Sequence, residues 1–331
     1  MFALLPRVVH GAKASLLYAA VSVLGACHGS STPEPEGSGG QHTEAARPSP
    51  KSAVTKNLRG IWGTSGNDIW AVGDGGAIVH FDGKTWSPSK SGTEENLTGV
   101  HGTAPNDVWA SGDKGSVLHW DGSSWMQASH AAGLTLLSIW ASGPKDVWAA
   151  GMDGEGDAGI VYRWDGTKWA TQPIPGATSV WQVSGSGAHD VWMVGSSQKG
   201  GGLVLHGNGA KFDAVGYDGP GVRGVWASKP EDVWVVPYEG AIQHWNGTAW
   251  SKATMPGPTS PLLRVAGSSP DDVWAVGLGG GMLRYHAGAW SASPTGTKQI
   301  LWGVWPRSSD DAWAVGNGGT ILHWNGATWT R

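Results

Sequence analysis

Three groups of side chains in this sequence carry chemistry beyond packing. The segment "MDGEGDAG" at 152–159 sets Asp153, Glu155 and Asp157 at alternate positions. Alternating carboxylates can wrap a hard cation such as calcium, although the Gly and the distal bidentate acid of a standard loop are not in their places here. A solvated acidic loop is the plain alternative. The second group is aromatic and acidic. Tyr238 and Glu239 stand where other copies of the repeat described below have small residues, and Tyr217 and Asp218 lie in the link just before that copy. Such a cluster suits a sugar or a peptide ligand. The third is Cys27, the single cysteine, which cannot form an internal disulfide. The histidines are different. His80, His119, His206, His244 and His323 recur at one place in the repeat, with Arg163 and Arg284 taking it in two copies. A metal needs ligands that converge on a point, so these residues read as structural.

The elements that must position these groups are short strands. A chain with 54 glycines, 23 tryptophans and few charges is neither disordered nor a helical bundle. Its net charge of -4, with no basic stripe, argues against nucleic acid as a partner. Asp68, Asp107, Asp146, Asp190, Asp232, Asp272 and Asp311 open "DIWAVG", "DVWAVG" and close variants, at intervals of 39, 39, 44, 42, 40 and 39 residues. Seven such units make a repeat architecture. Each unit contains a strand such as "LRGIWG", the "DVWAVG" strand, a strand such as "TILHW", and a last strand opened by Trp or Phe. Four short strands joined by Gly and Asn/Asp-Gly turns match one blade of a β-propeller. The expected fold is therefore all-β: seven four-stranded antiparallel blades, with no second domain.

All 23 tryptophans fall inside the repeats: six in first strands, seven in second, four in third and six opening fourth. Recurrence at fixed places marks them as filling between blades. Trp181 and Trp302 sit at irregular places and are kept as candidate stacking platforms. The Asp opening each second strand is expected to cap a turn by accepting backbone N–H bonds. The stretch "RPSPKSAVTKN" before Leu58 resembles "WSPSKSGTEEN" at 86–96, so residues about 48–56 are expected to approach or complete the outer edge of the seventh blade. Length varies between copies in the second-to-third loop and slightly in the fourth-to-first link. In an up-and-down blade both connections emerge on one face of the disc. That face is free to vary, while folding constrains the other. It also carries "SSQKGGG" (196–202), read as a plain insertion.

The chain opens with Arg7 and Lys13 and an apolar run of 13 residues, "ASLLYAAVSVLGA". This is short of the about 20 residues that cross a bilayer and reads as a signal segment. Its end, "LGAC" at Leu24 to Cys27, resembles the lipobox of bacterial lipoproteins, which implies cleavage before Cys27 and acylation of that residue. His28 at the next position, in place of Asp, implies by the same resemblance the outer membrane. The expected organisation is a signal peptide at 1–26, a lipidated Cys27 with a flexible tether at 27–46, and the propeller at 47–331.

The repeat resembles the kelch and BNR (Asp-box) propeller repeats, although Asp82, Asp121 and Asp165 directly precede Gly and the kelch diglycine is missing. The pattern "DVWAVGxGGxILHWxGxxW" is most similar to repeats of largely uncharacterised secreted and lipid-anchored bacterial proteins of the myxobacterial type. Asp-box propellers include sialidases, and that resemblance implies three arginines converging on a carboxylate, for which Arg59, Arg223 and Arg264 are the available residues. The units are nearly uniform and their loops short, so the leading expectation is a non-catalytic binding scaffold for an envelope protein or glycan. A lectin-like sugar binder is the alternative, and a sialidase-like hydrolase comes third. No cofactor is expected apart from calcium at the acidic loop.

Overall fold

The computed structural model describes residues 54–257 and 260–331. The expected signal peptide, Cys27 and the tether lie outside the described residues. Seven antiparallel sheets, each with its four strands in chain order, form the seven expected blades. In blade one they are Leu58–Ser65, Asp68–Gly73, Ile78–Phe81 and Trp86–Pro88. The first strands of successive blades touch one another, and that of blade seven, Leu301–Ser308, returns to that of blade one. First strands are thus innermost and line a central channel.

The second strand is buried on both faces, because each sheet is sandwiched between its neighbours. This explains its unbroken apolar run. Seven hydrophobic clusters each join two adjacent blades, with second-strand tryptophans such as Trp148, Trp192 and Trp274 wholly buried. The structural reading of the repeated tryptophans holds.

The motif aspartates correct the sequence reading. Apart from the Ser186 N–H on Asp190 at 3.2 Å, each carboxylate accepts not from backbone but from side chains of its own blade. One oxygen takes the residue four places earlier: Thr64, Thr103, Ser142, Ser186, Ser228, Ser268 and, in blade seven, Arg307. The other binds the third-strand group: His80, His119, Arg163, His206, His244, Arg284 and His323. The five imidazoles stack on the second-strand tryptophan at 4.0–4.2 Å between centroids. Arg163 and Arg284 lie over theirs at 4.9 and 4.7 Å. The repeated His is thus a structural residue, tying strand three to the start of strand two. Burial alone would raise the carboxyls of Asp68, Asp107, Asp190 and Asp311, but these hydrogen bonds outweigh it and hold them below 3.8. The turn-capping role falls to Asp82, Asp121 and Asp165 and to their counterparts Asn208, Asn246 and Asn325. Each of these accepts two backbone N–H bonds in the third-to-fourth hairpin.

Ring closure departs in one respect. All four strands of blade seven come from 301–330, and no strand precedes Leu58 among the described residues. The approach itself is present. Asn57 Oδ1 accepts the Gly318 N–H at 2.9 Å, as Asn96 Oδ1 accepts that of Gly75 at 2.9 Å. Val54 packs against blade seven and its carbonyl crowds Gly319, as the Thr93 carbonyl crowds Gly76. Residues 54–57 therefore take the place that 93–96 hold in the next link, the register implied by the matching segments.

Candidate functional site

Each first strand carries a β-bulge in its first half, toward the variable face; it is one residue in from the start in five blades and further in for the longer first strands of blades three and four. The bulged residues are Arg59, Thr98, Leu137, Trp181, Arg223, Leu263 and Trp302, all skipped by the pairing with strand two. A bulge re-aims its side chain and leaves its backbone outside the ladder. Here it turns the mouth of the channel into a ring of seven side chains of four types, two Arg, two Leu, two Trp and a Thr, on one repeated backbone.

On one side of this mouth two of those residues, Trp181 and Arg223, form a stack with Tyr238. The Arg223 guanidinium lies 3.5 Å from the Trp181 ring centroid and 4.9 Å from that of Tyr238. Tyr238, just past the end of the second strand of blade five, is 37 % exposed and is one of two exposed large hydrophobic side chains among the described residues. Asp218 and Glu239 are exposed as well. A planar cation held between two aromatic faces is rigid and desolvated on both sides. The stack is a preformed aromatic and cationic surface, open to solvent through Tyr238.

Tyr217 does not join it. Its ring packs edge-on against Trp250, 6.0 Å between centroids, and against the backbone of Gly202. Its hydroxyl is buried without a partner, and burial pushes it up to about 12. Gly202, at the end of the loop read as a plain insertion, is needed there because a Cβ would come within 2.5 Å of the Tyr217 ring.

The acidic loop folds on itself. Asp153 Oδ1 accepts the Asp157 N–H at 2.8 Å and the Ala158 N–H at 3.3 Å, and these backbone bonds, the Asp157 one foremost, hold its carboxyl low. Asp153, Glu155 and Asp157 are not gathered as a ligand set, and no group of three or more His, Cys, Asp or Glu among the described residues is placed to hold a metal.

The three arginines do not converge either. Arg59 pairs with Asp74 and lies over Trp302, whose Nε1 donates to Asn317 Oδ1 at 2.7 Å. Arg264 extends across the channel from blade six. Its Nη2 donates to the Leu137 carbonyl of blade three at 2.9 Å, and Nη1 to those of Trp181 at 3.0 Å and Arg223 at 3.3 Å. All three acceptors are bulge carbonyls. Burial, with Arg223 nearby, brings the Arg264 guanidinium down to about 10, which leaves it charged at neutral pH. Sequence reasoning took Arg264 for a possible catalytic residue and missed this role. Arginine is unique to blade six at a place held by Gly, Ser or Gln elsewhere, and that was the available signal.

No known family profile matches this sequence, and no curated protein does. Solved structures do. A structure described as YCF48 bound to D1 peptide is similar over 82 % of this chain and 94 % of its own, at 18 % identity and a TM-score of 0.65. YCF48 from Cyanidioschyzon merolae is similar over 83 % and 97 %, at 17 % identity and the same score. The WD40 β-propeller domain of Doa1 is similar over 81 % and 93 %, at 12 % identity and again 0.65. At these identities the likeness is one of fold: this chain is a seven-bladed β-propeller.

Proposed function

We propose that this protein is a non-catalytic binding propeller, held at the cell envelope by lipid on Cys27, that captures a segment of a protein partner on its variable face. The observation that carries the reading is the Trp181–Arg223–Tyr238 stack, exposed through Tyr238, with the exposed Glu239 next to it in sequence and the exposed Asp218 in the link before this blade. Rigid aromatic and Arg side chains are the types that dominate binding energy at protein interfaces, and acids at the rim select basic or polar segments. The peptide bound by the structurally similar YCF48 is consistent with such a use of the fold. Engagement of Arg59 by Asp74 and of Arg264 by three carbonyls supports the non-catalytic part. The basic, apolar start of the chain and its "LGAC" segment support the lipid anchor and an outer-membrane location.

The exposure of Tyr238 favours one second reading, a lectin-like face, because sugars stack on exposed aromatic rings. One experiment separates them: the purified protein is passed over peptide arrays and over glycan and peptidoglycan-fragment arrays, beside its Tyr238→Ala and Arg223→Ala variants. Peptide binding that both variants lose by about tenfold or more supports the proposal. Glycan binding with the same dependence supports the lectin reading. Binding indifferent to both variants removes the face from either role.

A further inference from the structure

The central channel encloses a cavity of about 290 Å³. A cavity of roughly 150 Å³ can hold benzene, and small-molecule sites begin at roughly 300 Å³, so the space suits one small aromatic molecule. Its wall toward the fixed face is made by Trp62, Trp140, Trp226 and Trp305, with His101 between the first two, 5.3 and 6.3 Å from them. These residues lie deeper along the first strands than the bulges, on the side of Arg264 away from the variable mouth.

The polar groups in this cavity are unbalanced. No Asp or Glu lines it. Arg59 at its rim is already matched by Asp74. Arg264 makes no ion pair among the described residues, and its acceptors are the three neutral carbonyls. A guanidinium has five N–H groups. At least two, the Nε–H and one on Nη2, are left without a protein acceptor. His101 adds a further donor: its Nδ1 accepts the Ala141 N–H at 3.2 Å, so in the neutral ring Nε2 carries the proton. The four channel indoles have no protein acceptor for their N–H groups among the described residues. A buried cation without a counter-charge, set among unspent donors and flat apolar walls, is stabilised by an anion that brings an apolar body with it.

We propose that this cavity is a binding site for a small carboxylate with an aromatic or apolar body, the carboxylate seated on Arg264 and the body between the channel tryptophans. The site is separate from the Tyr238 face and stands whether or not that face binds a partner.

The test uses the whole protein and three probes of one shape: phenylacetate, phenylacetamide and phenethylamine, followed by calorimetry and by tryptophan fluorescence. Saturable binding of phenylacetate is expected, with the amide weaker by at least about tenfold and the amine not bound, since a hydrogen bond to a charged group outweighs a neutral one by that margin. Arg264→Gln should erase the preference for acid over amide while circular dichroism shows an intact sheet. Tyr238→Ala should leave acid binding unchanged. Equal binding of acid and amide, no saturable binding of the acid at millimolar concentration, or loss of binding in Tyr238→Ala would each overturn the proposal. If Arg264→Gln fails to fold, the three probes on the unaltered protein still decide.

Discussion

The Trp226 indole of blade five lies against the bare backbone of Gly267 in blade six, so close that a Cβ on Gly267 would come within 2.6 Å of it. The same pairing joins Trp62 to Gly102, Trp140 to Gly185 and Trp305 to Gly63. Where the channel residue is smaller, as at His101, Ser184 and Ala266, the next blade carries Ala141, Ala227 and Pro306 at the facing place. A large ring in one blade is accommodated by the absence of a side chain in the next.

Gly267→Ala should therefore destabilise the fold by about 1–3 kcal/mol, the usual cost of overpacking. Gly267 is the cleanest of the four sites, because a Cβ at Gly63, Gly102 or Gly185 also meets the Asp carbonyl of its own blade at 2.6, 2.4 and 2.1 Å. In a Trp226→Ala background the Gly267→Ala cost should fall to near zero. Denaturant unfolding of the four members of this cycle measures the coupling, and additive effects would refute the contact as its cause.

Acid should weaken the fold in two stages. Burial lowers His101 from 6.5 to about 4, so the unfolded chain binds a proton there that the folded chain refuses. That contribution is complete above pH 6.5 and declines as pH falls toward 4, by roughly 3 kcal/mol at most. The lowered Asp68, Asp107, Asp190 and Asp311 act further down: their stabilisation is present above 3.8 and is lost as pH falls through their folded values. Comparing urea midpoints of the protein and of His101→Gln from pH 7 to 4 isolates the first stage. A difference between the two that does not change with pH would contradict it.

Arg264→Leu should cost at least about 3 kcal/mol. It strands the bulge carbonyls of Leu137, Trp181 and Arg223, each of which loses a charge-assisted bond. Arg264→Lys should recover part of this, since an ammonium retains the charge but lacks the planar fork that reaches three blades. Thermal melts of both variants give the order: a Lys variant as stable as the unaltered protein would mean that the charge alone matters, and one no more stable than the Leu variant that the planar fork is required.

If Cys27 carries the proposed lipid, Cys27→Ser should move the protein from the membrane fraction to a soluble one without changing its melting temperature, because Cys27 precedes the first propeller strand at Leu58 by 31 residues in the sequence. Fractionation, together with mass spectrometry of the N-terminal peptide for acyl groups, checks this. Unchanged membrane association of the variant would exclude a lipid on this cysteine as the anchor.

Much of the architecture was legible because a propeller repeats its physics. Seven copies of one strand pattern show which places are packed, and the wedge between blades dictates aromatic bulk there. The Asp–His–Trp grouping was half legible. The Asp and Trp recur in all seven copies, the His in five with Arg in the other two, and a Ser or Thr stands four places before six of the seven Asp, but position in a strand does not say which atoms pair. Backbone capping was assigned to Asp68 and its equivalents when it belonged to Asp82 and its equivalents, because both kinds of Asp stand at strand ends. Tyr217 and Tyr238 looked equivalent as aromatic residues in variable segments. Only the packing over Gly202 separates the buried one from the exposed one.

By itself the sequence determined the number of blades, the order of strands, the residues filling the wedges and the face on which copies differ, since each follows from local periodicity and turn chemistry. Tertiary structure alone decided what converges. Arg264 meets carbonyls 41, 83 and 127 residues away, and Trp181, Arg223 and Tyr238 come from two blades. Such meetings depend on closing the ring, which brings seven first strands around one axis and turns distance along the chain into contact across a channel.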